Sequence, residues 1–237
     1  MLGLGIVPAR GGSKGISRKN LVSLHGRPLV AWTLDAARSA RSLARVVVST
    51  DDEEIAAEVR VHGGDVPFMR PVSLATDDTP VLNVVQHVIQ ELERRERWRP
   101  DVVVLLQPTS PLRTASHIDA AVDLLQETGA DSVVSVVEVP HQFHPVSVMR
   151  LKGDRLIPYE GNSTVTRRQD KPTLYGRNGP AVLVTRPAVL LEQGSLYGTD
   201  SRPFVMAPEE SVDVDSLWEL ELAAWYLSQR DGIPSSS

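Results

Sequence analysis

Five short runs of apolar and β-branched residues, at 2–7, 46–49, 102–106, 132–137 and 181–185, recur along the chain with stretches of helical character between them. Such alternation predicts an α/β fold in which a mostly parallel central sheet lies under helices on both faces. The helical candidates are 28–40, 52–62, 81–95, 115–126 and 216–228, with Asp51, Thr79, Thr114 and Asp215 as the expected N-caps of four of them. One domain over residues 1–230 accounts for a chain of 237 residues, a length that supports a substantial core. Between 140 and 172 the rhythm breaks. There 151–158 reads as a hairpin turning on Lys152-Gly153-Asp154, and a polar, basic stretch follows. This segment is expected to leave the core as an arm toward a partner subunit, and the small, polar tail at 231–237 is expected to be disordered.

The first apolar run breaks into Pro8-Ala9-Arg10-Gly11-Gly12-Ser13-Lys14-Gly15-Ile16-Ser17-Arg18-Lys19-Asn20. Glycines directly after a strand present backbone N–H groups at its carboxyl end, where α/β proteins hold phosphates. Arg10, Lys14, Arg18 and Lys19 add cationic side chains to that loop, so it is expected to bind a nucleoside triphosphate. Two familiar phosphate loops do not fit. The P-loop requires Ser or Thr directly after its lysine, whereas Lys14 is followed by Gly15 and Ile16. The dinucleotide fingerprint requires three spaced glycines, and Gly3-Leu4-Gly5 sits inside the strand with Pro8 at the third position.

Charge is distributed to suit an anionic ligand. The chain carries a net charge of −5, yet no Asp or Glu precedes Asp35, while Arg10, Lys14, Arg18, Lys19 and Arg27 give that segment +5. Because the basic residues gather near one loop instead of along a stripe, nucleic-acid binding is not expected. The absence of cysteine excludes disulfides, thiol catalysis and cysteine-ligated zinc. No secretory pattern or 18-residue apolar run is present, which predicts a cytoplasmic protein without membrane contact.

Three further segments carry chemistry. Gln107-Pro108-Thr109-Ser110-Pro111-Leu112-Arg113 follows the most hydrophobic run and supplies uncharged donors at a turn held by two prolines. In Ser211-Val212-Asp213-Val214-Asp215-Ser216 the two carboxylates sit at i and i+2, one face of an extended segment, where they can grip one divalent cation. Arg167 to Pro172, with Tyr175-Gly176-Arg177-Asn178-Gly179, offers guanidinium groups suited to a carboxylate or phosphate and a turn that could expose the Asn178 amide. Smaller loop signals are Ser49-Thr50-Asp51, Arg70-Pro71 and Leu74-Ala75-Thr76-Asp77.

In this order, the motifs resemble the acylneuraminate (CMP-sialic acid synthetase-like) cytidylyltransferases from about residue 4 to 228. The resemblance runs through Ala9-Arg10, Ser13-Lys14-Gly15, Lys19-Asn20, Ser49-Thr50-Asp51, Arg70-Pro71, 106–113, Arg168-Gln169, Asn178-Gly179 and Asp213-Val214-Asp215. It implies a three-layer, Rossmann-like nucleotidyltransferase fold that uses CTP and Mg2+, transfers CMP to a small acidic acceptor and releases pyrophosphate. It also implies a homodimer built by the 140–172 arm. Under it, Arg10 and Lys14 hold the triphosphate with Ala9, Gly12, Ser13, Lys19 and Asn20 forming the loop, and Arg70 and Thr79 lie by the cytidine. Gln107, Arg168, Arg177 and Asn178 face the acceptor, Asp213 and Asp215 hold the metal, and Arg10, Lys14 and Asp215 act in catalysis.

Departures cluster on the acceptor side. Related sequences read Arg-x-Asn-Gly-Ala-Ile-Tyr where this chain has Gly176-Arg177-Asn178-Gly179-Pro180-Ala181-Val182. After His144-Pro145, where sialic-acid enzymes can carry a lysine, stands Val146-Ser147-Val148. The expected acceptor is a nonulosonic, sialic-acid-like sugar; the alternative is a small phosphonate, whose ionised oxygen needs no general base. A Kdo-type enzyme is disfavoured by the Ser-Lys-Gly and Lys-Asn elements, and a silent nucleotide-binding regulator by Lys14 and the two aspartates.

Overall fold

The computed structural model describes residues 1–159, 167 and 171–231. The chain opens with β1 (Gly3–Pro8), passes through the short strands β2 (Ser23–Leu24) and β3 (Arg27–Pro28), and enters α1 (Leu29–Ser39), β4 (Leu43–Ser49), α2 (Glu53–Val61) and α3 (Val81–Glu96). Next come β5 (Val102–Leu105), α4 (Ala115–Thr128), β6 (Ser132–Glu138), β7 (Met149–Lys152) and β8 (Arg155–Pro158). β9 (Tyr175–Arg177), β10 (Leu183–Thr185), α5 (Pro187–Leu191), β11 (Ser201–Val205) and α6 (Leu217–Asp231) complete it. All five apolar runs are strands, and all five helical candidates are helices.

Among the described residues seven strands form one sheet in the order β11-β6-β10-β5-β1-β4, with β9 pairing along β6. The period-2 geometry of a strand sends alternate side chains to opposite layers. In β1 Val7 meets Val30 and Leu34 of α1, while Leu4 and Ile6 meet Val85, Val88 and Ile89 of α3. In β5 Val102 and Val104 join the first layer, Val103 and Leu105 the second. Double burial explains why these strands read as unbroken apolar runs. A third cluster packs α6, through Ala223 and Leu227, over Ile16, Leu29, Leu112 and Val214. That contact carries the end of the chain onto the opening loop.

β1, β4, β5, β6 and β11 run one way, and β10 runs against both β5 and β6. The expectation that 181–185 would be parallel is therefore corrected. Among the described residues no long crossover helix separates β6 from β10, so the chain re-enters the sheet from the edge it left. It returns first as β9, antiparallel to β6. β11 has no counterpart in the expected set: it is an exposed edge strand carrying Pro203, and proline is tolerated at such an edge.

The expected hairpin is present as β7 and β8, paired antiparallel with Leu151 opposite Leu156. Met149, Leu151, Leu156 and Tyr159 stand exposed on it. Three of the four expected N-caps differ, Asp51, Thr79 and Asp215, the last described with the site below. Asp52, not Asp51, caps α2, accepting from the N–H groups of Glu54 and Ile55 at 3.0 and 2.9 Å. Pro80 precedes α3, and Thr79 lies outside it, bonded to Thr76. Thr114 does occupy the start of α4, where its N–H donates to His117 Nδ1 at 3.2 Å. Asp231 closes α6 and so does not belong to a tail; 232–237 lie outside the described residues. No described helix is long and apolar enough to cross a membrane.

Candidate active site

The opening loop is held from beneath by the ends of its neighbours. Ala9 N–H donates to the Ser49 carbonyl at 2.9 Å, extending the β1 to β4 pairing by one step. Gly11 N–H donates to Asp51 Oδ1 at 3.1 Å, which is what Asp51 does instead of capping α2. Asn20 Nδ2 donates to the Arg10 carbonyl at 2.9 Å, and Ser13 Oγ donates to the Ile16 carbonyl at 2.5 Å while accepting from Lys19 N–H. Ser13 and Asn20 thus shape the loop from within.

Lys19 turns toward the far end of the chain. Its Nζ donates to the Val214 carbonyl at 3.0 Å and to Asp215 Oδ1 at 2.7 Å. A Cβ built on Gly15 would lie 2.2 Å from the Asp215 carbonyl oxygen, so only glycine lets the loop approach this closely. Val214 N–H in turn donates to the Thr109 carbonyl at 2.7 Å. Asp215 is not the cap of α6: its N–H and that of Ser216 both donate to Glu219 Oε2 at 2.8 Å.

Pro8, Arg10, Gly12, Ser13, Lys14, Gly15, Lys19, Asn20, Gln107, Thr109, Asp213 and Asp215 line one cleft of about 500 Å³. Asp213 is mostly buried, and burial is the main cause that pushes its carboxyl above the ordinary range; a bond from Thr109 opposes this and the nearby Asp215 charge adds to it. Its Oδ1 is buried without a hydrogen-bond partner among the described residues. A carboxylate oxygen left bare beside a second carboxylate suits a hard divalent cation, which needs few protein ligands when phosphates and water supply the rest.

The turn after β5 is bound to the start of β10. Gln107 Nε2 donates to the Gly179 carbonyl at 2.8 Å. Arg113 is buried behind it, donating to the carbonyls of Gln107 and Ala181 at 3.2 and 2.5 Å and to Thr33 Oγ1 at 2.6 Å. With no carboxylate partner among the described residues, burial alone lowers its pKa to about 9. Asn178 does not expose its amide as the turn suggested. It is buried, with Oδ1 accepting from Ser135 Oγ at 2.6 Å and Nδ2 donating to Ser211 Oγ at 2.9 Å, so it frames the site. Arg177 lies 5.0 Å over the Tyr197 ring and is not among the cleft-lining residues. Arg168 is outside the described residues.

Arg70 is buried beneath the loop, donating from Nε to Ser49 Oγ at 3.0 Å and from Nη2 to the Ser49 carbonyl at 2.5 Å. Burial lowers its pKa to about 10. Thr79 is half-buried in the neighbouring loop, and neither residue lines the cleft. The same loop holds a group whose part the sequence did not reveal: Asp77 pairs with Arg10 at 2.7 Å and with Lys14 at 3.2 Å. Leu74 to Asp77 was visible as loop material, but nothing in one chain's spacing says that its acid reaches the cations of residues 10 and 14.

The sequence profile described as Cytidylyltransferase matches residues 4–216. The N-acylneuraminate cytidylyltransferase of Escherichia coli O18:K1:H7 is 31% identical over 227 residues, which are 93% of this chain and 51% of that protein. This chain therefore spans about half the length of that curated relative. The CMP-N,N'-diacetyllegionaminic acid synthase of Legionella pneumophila is 32% identical over 214 residues, covering 90% of each protein. A solved CMP:2-keto-3-deoxy-manno-octonic acid synthetase complexed with CTP matches with a TM-score of 0.70 at 18% identity, over 97% of this chain and 100% of that one, a likeness of fold. With its profile match across nearly the full length and these relatives above 30% identity, the chain belongs to the acylneuraminate cytidylyltransferase family.

Proposed function

We propose that this protein is a CTP-dependent cytidylyltransferase that transfers CMP to a nonulosonic, sialic-acid-like sugar and releases pyrophosphate. The observation that carries this reading is the shared cleft, in which the cations of the opening loop and the aspartate pair meet through Lys19 and Asp215. The names of the bacterial relatives, which include a pseudaminic acid cytidylyltransferase of Campylobacter jejuni, support the acceptor class.

In this reading an acceptor oxygen attacks the α-phosphorus of CTP in line. The new O–P bond forms as the bond from the α-phosphorus to the bridging oxygen breaks, and pyrophosphate leaves with the electron pair. Arg10 and Lys14 hold the triphosphate and neutralise charge gathering on the departing group, so catalysis is positioning plus electrostatics. Gly12 and the rest of the loop offer backbone donors. Asp213 and Asp215 would hold Mg2+, which when bound supplies further charge neutralisation at the phosphates. For a sugar acceptor we assign the hydroxyl proton to the carboxylate of Asp215. Arg70 supports the cytidine side indirectly by fixing Ser49 beneath the loop.

A second acceptor reading, a small phosphonate, is favoured by one feature: Gln107, Asn178 and Arg177 are all engaged within the protein. A large sugar acid needs several free polar partners, whereas a phosphonate brings its own charge and an ionised nucleophile. Incubation with CTP, Mg2+ and a panel of acids, scored by pyrophosphate release, separates the two. Turnover of sialic, legionaminic or pseudaminic acids is expected; turnover of phosphonates alone would replace the first reading by the second.

We further propose that the 140–172 arm, with Leu151 and Leu156 exposed on its hairpin, builds a homodimer, and that the enzyme works in the cytoplasm with its CTP. Light scattering coupled to size exclusion should give twice the chain mass, and a monomer would refute the arm's role.

A further inference from the structure

Both oxygens of Asp77 are in use: Oδ1 lies 2.7 Å from Arg10 Nη2 and Oδ2 lies 3.2 Å from Lys14 Nζ. A carboxylate that bridges two cations in this way occupies them as two oxygens of a phosphate would. Asp77 belongs to a compact turn of its own, in which Thr79 N–H donates to the Thr76 carbonyl at 3.3 Å and the hydroxyls of Thr76 and Thr79 meet at 2.7 Å. The pairs it makes are partly open to solvent, with side-chain exposures of 29% for Arg10, 74% for Lys14 and 44% for Asp77. Exposed pairs of this kind are readily exchanged for a ligand of higher charge.

We propose that Asp77 is an internal competitor for the phosphate site and sets the charge a ligand must carry to enter it. This inference rests on the reading of Arg10 and Lys14 as the triphosphate cations. A ligand that uses those cations must first displace the carboxylate, so its apparent affinity is reduced by the fraction of molecules in which Asp77 is closed. A triphosphate or pyrophosphate, reaching both cations with several charged oxygens, overcomes that competition. Orthophosphate does so poorly, and a nucleoside without phosphates is unaffected. After transfer the same carboxylate competes with pyrophosphate and favours its departure.

Calorimetric titration of pyrophosphate, orthophosphate and cytidine into the whole chain and into Asp77→Asn tests this. The variant should bind pyrophosphate about tenfold more tightly, the weight of two exposed ion pairs, and gain in orthophosphate affinity, with cytidine unchanged. Asp78→Asn removes the same charge one residue along, where no ion pair to either cation is found among the described residues, and should change nothing. Pyrophosphate binding that stays the same or weakens in Asp77→Asn, or tightens equally in Asp78→Asn, overturns the proposal. If the wild-type chain turns over CTP while Asp77→Asn binds no more tightly, the competitor role alone falls. If neither protein binds pyrophosphate or CTP, the nucleotide reading falls with it.

Discussion

Lys19 Nζ lies 2.7 Å from Asp215 Oδ1, joining residues 196 positions apart in the chain. The ammonium also holds the Val214 carbonyl, and the pair closes one side of the cleft that Arg10 and Lys14 of the opening loop line together with Asp213 and Asp215. This contact turns two separately weak sequence signals into one site.

Removing the buried member of the acid pair should abolish chemistry while sparing the fold. Asp213→Ala is expected to lower pyrophosphate release from CTP by about a hundredfold or more, the scale on which loss of a charge-stabilising group acts. The thermal shift that Mg2+ gives the wild-type chain in the presence of CTP should disappear. Full turnover in the variant would refute the assignment of Asp213 to the metal.

The close approach of Gly15 to Asp215 predicts a geometric effect. In Gly15→Ala a Cβ would stand 2.2 Å from a backbone oxygen, so the loop must withdraw from the aspartate pair. CTP affinity should fall about tenfold or more, measured by calorimetry. A Cβ on Gly12 meets nothing within 4 Å, so Gly12→Ala should leave the melting temperature of the ligand-free protein unchanged.

Asn178 is expected to act on stability before it acts on the acceptor. Asn178→Ala strips partners from Ser135, Ser211 and the Ala181 N–H inside the protein, and should lower the unfolding free energy by about 2–3 kcal/mol in urea. A variant of wild-type stability with a raised acceptor KM would instead mark Asn178 as a direct acceptor contact.

Asp52 links the fold to pH. Its carboxyl is held below the ordinary value of 3.8, chiefly by the Ile55 N–H, with Arg18 also contributing. A depressed carboxyl pKa stabilises the folded state above the unfolded value, and this contribution is lost as pH falls from about 3.8 through the lower folded pKa. Asp52→Ala should cost about 1 kcal/mol at pH 7, as loss of a helix cap does. The gap between variant and wild type should narrow below that pH in parallel denaturation curves; a gap that does not change with pH would contradict the assignment.

Much of this protein was legible in one chain because burial leaves a local mark. Val102 to Leu105 had to be apolar to lie between two helical layers, the glycines after Val7 had to follow a strand to expose their backbone, and Asp213 and Asp215 had to be two apart to share a face. The resemblance of these motifs to a known family is confirmed by the profile match over residues 4–216. What only the tertiary structure decided are relations between distant segments. The reversal of β10 follows from the chain re-entering the sheet beside β6, the strand it had just left, and not from the composition of 183–185. Asn178 could equally have faced a ligand until Ser135 and Ser211 closed on its amide. Asp77 looked like solvated loop material until the turn at 76–79 brought it to Arg10 and Lys14. Periodicity and turn chemistry are written in neighbouring residues, whereas the partner of a buried amide or an exposed charge is chosen by packing between elements far apart in the chain, and a local pattern carries no record of that choice.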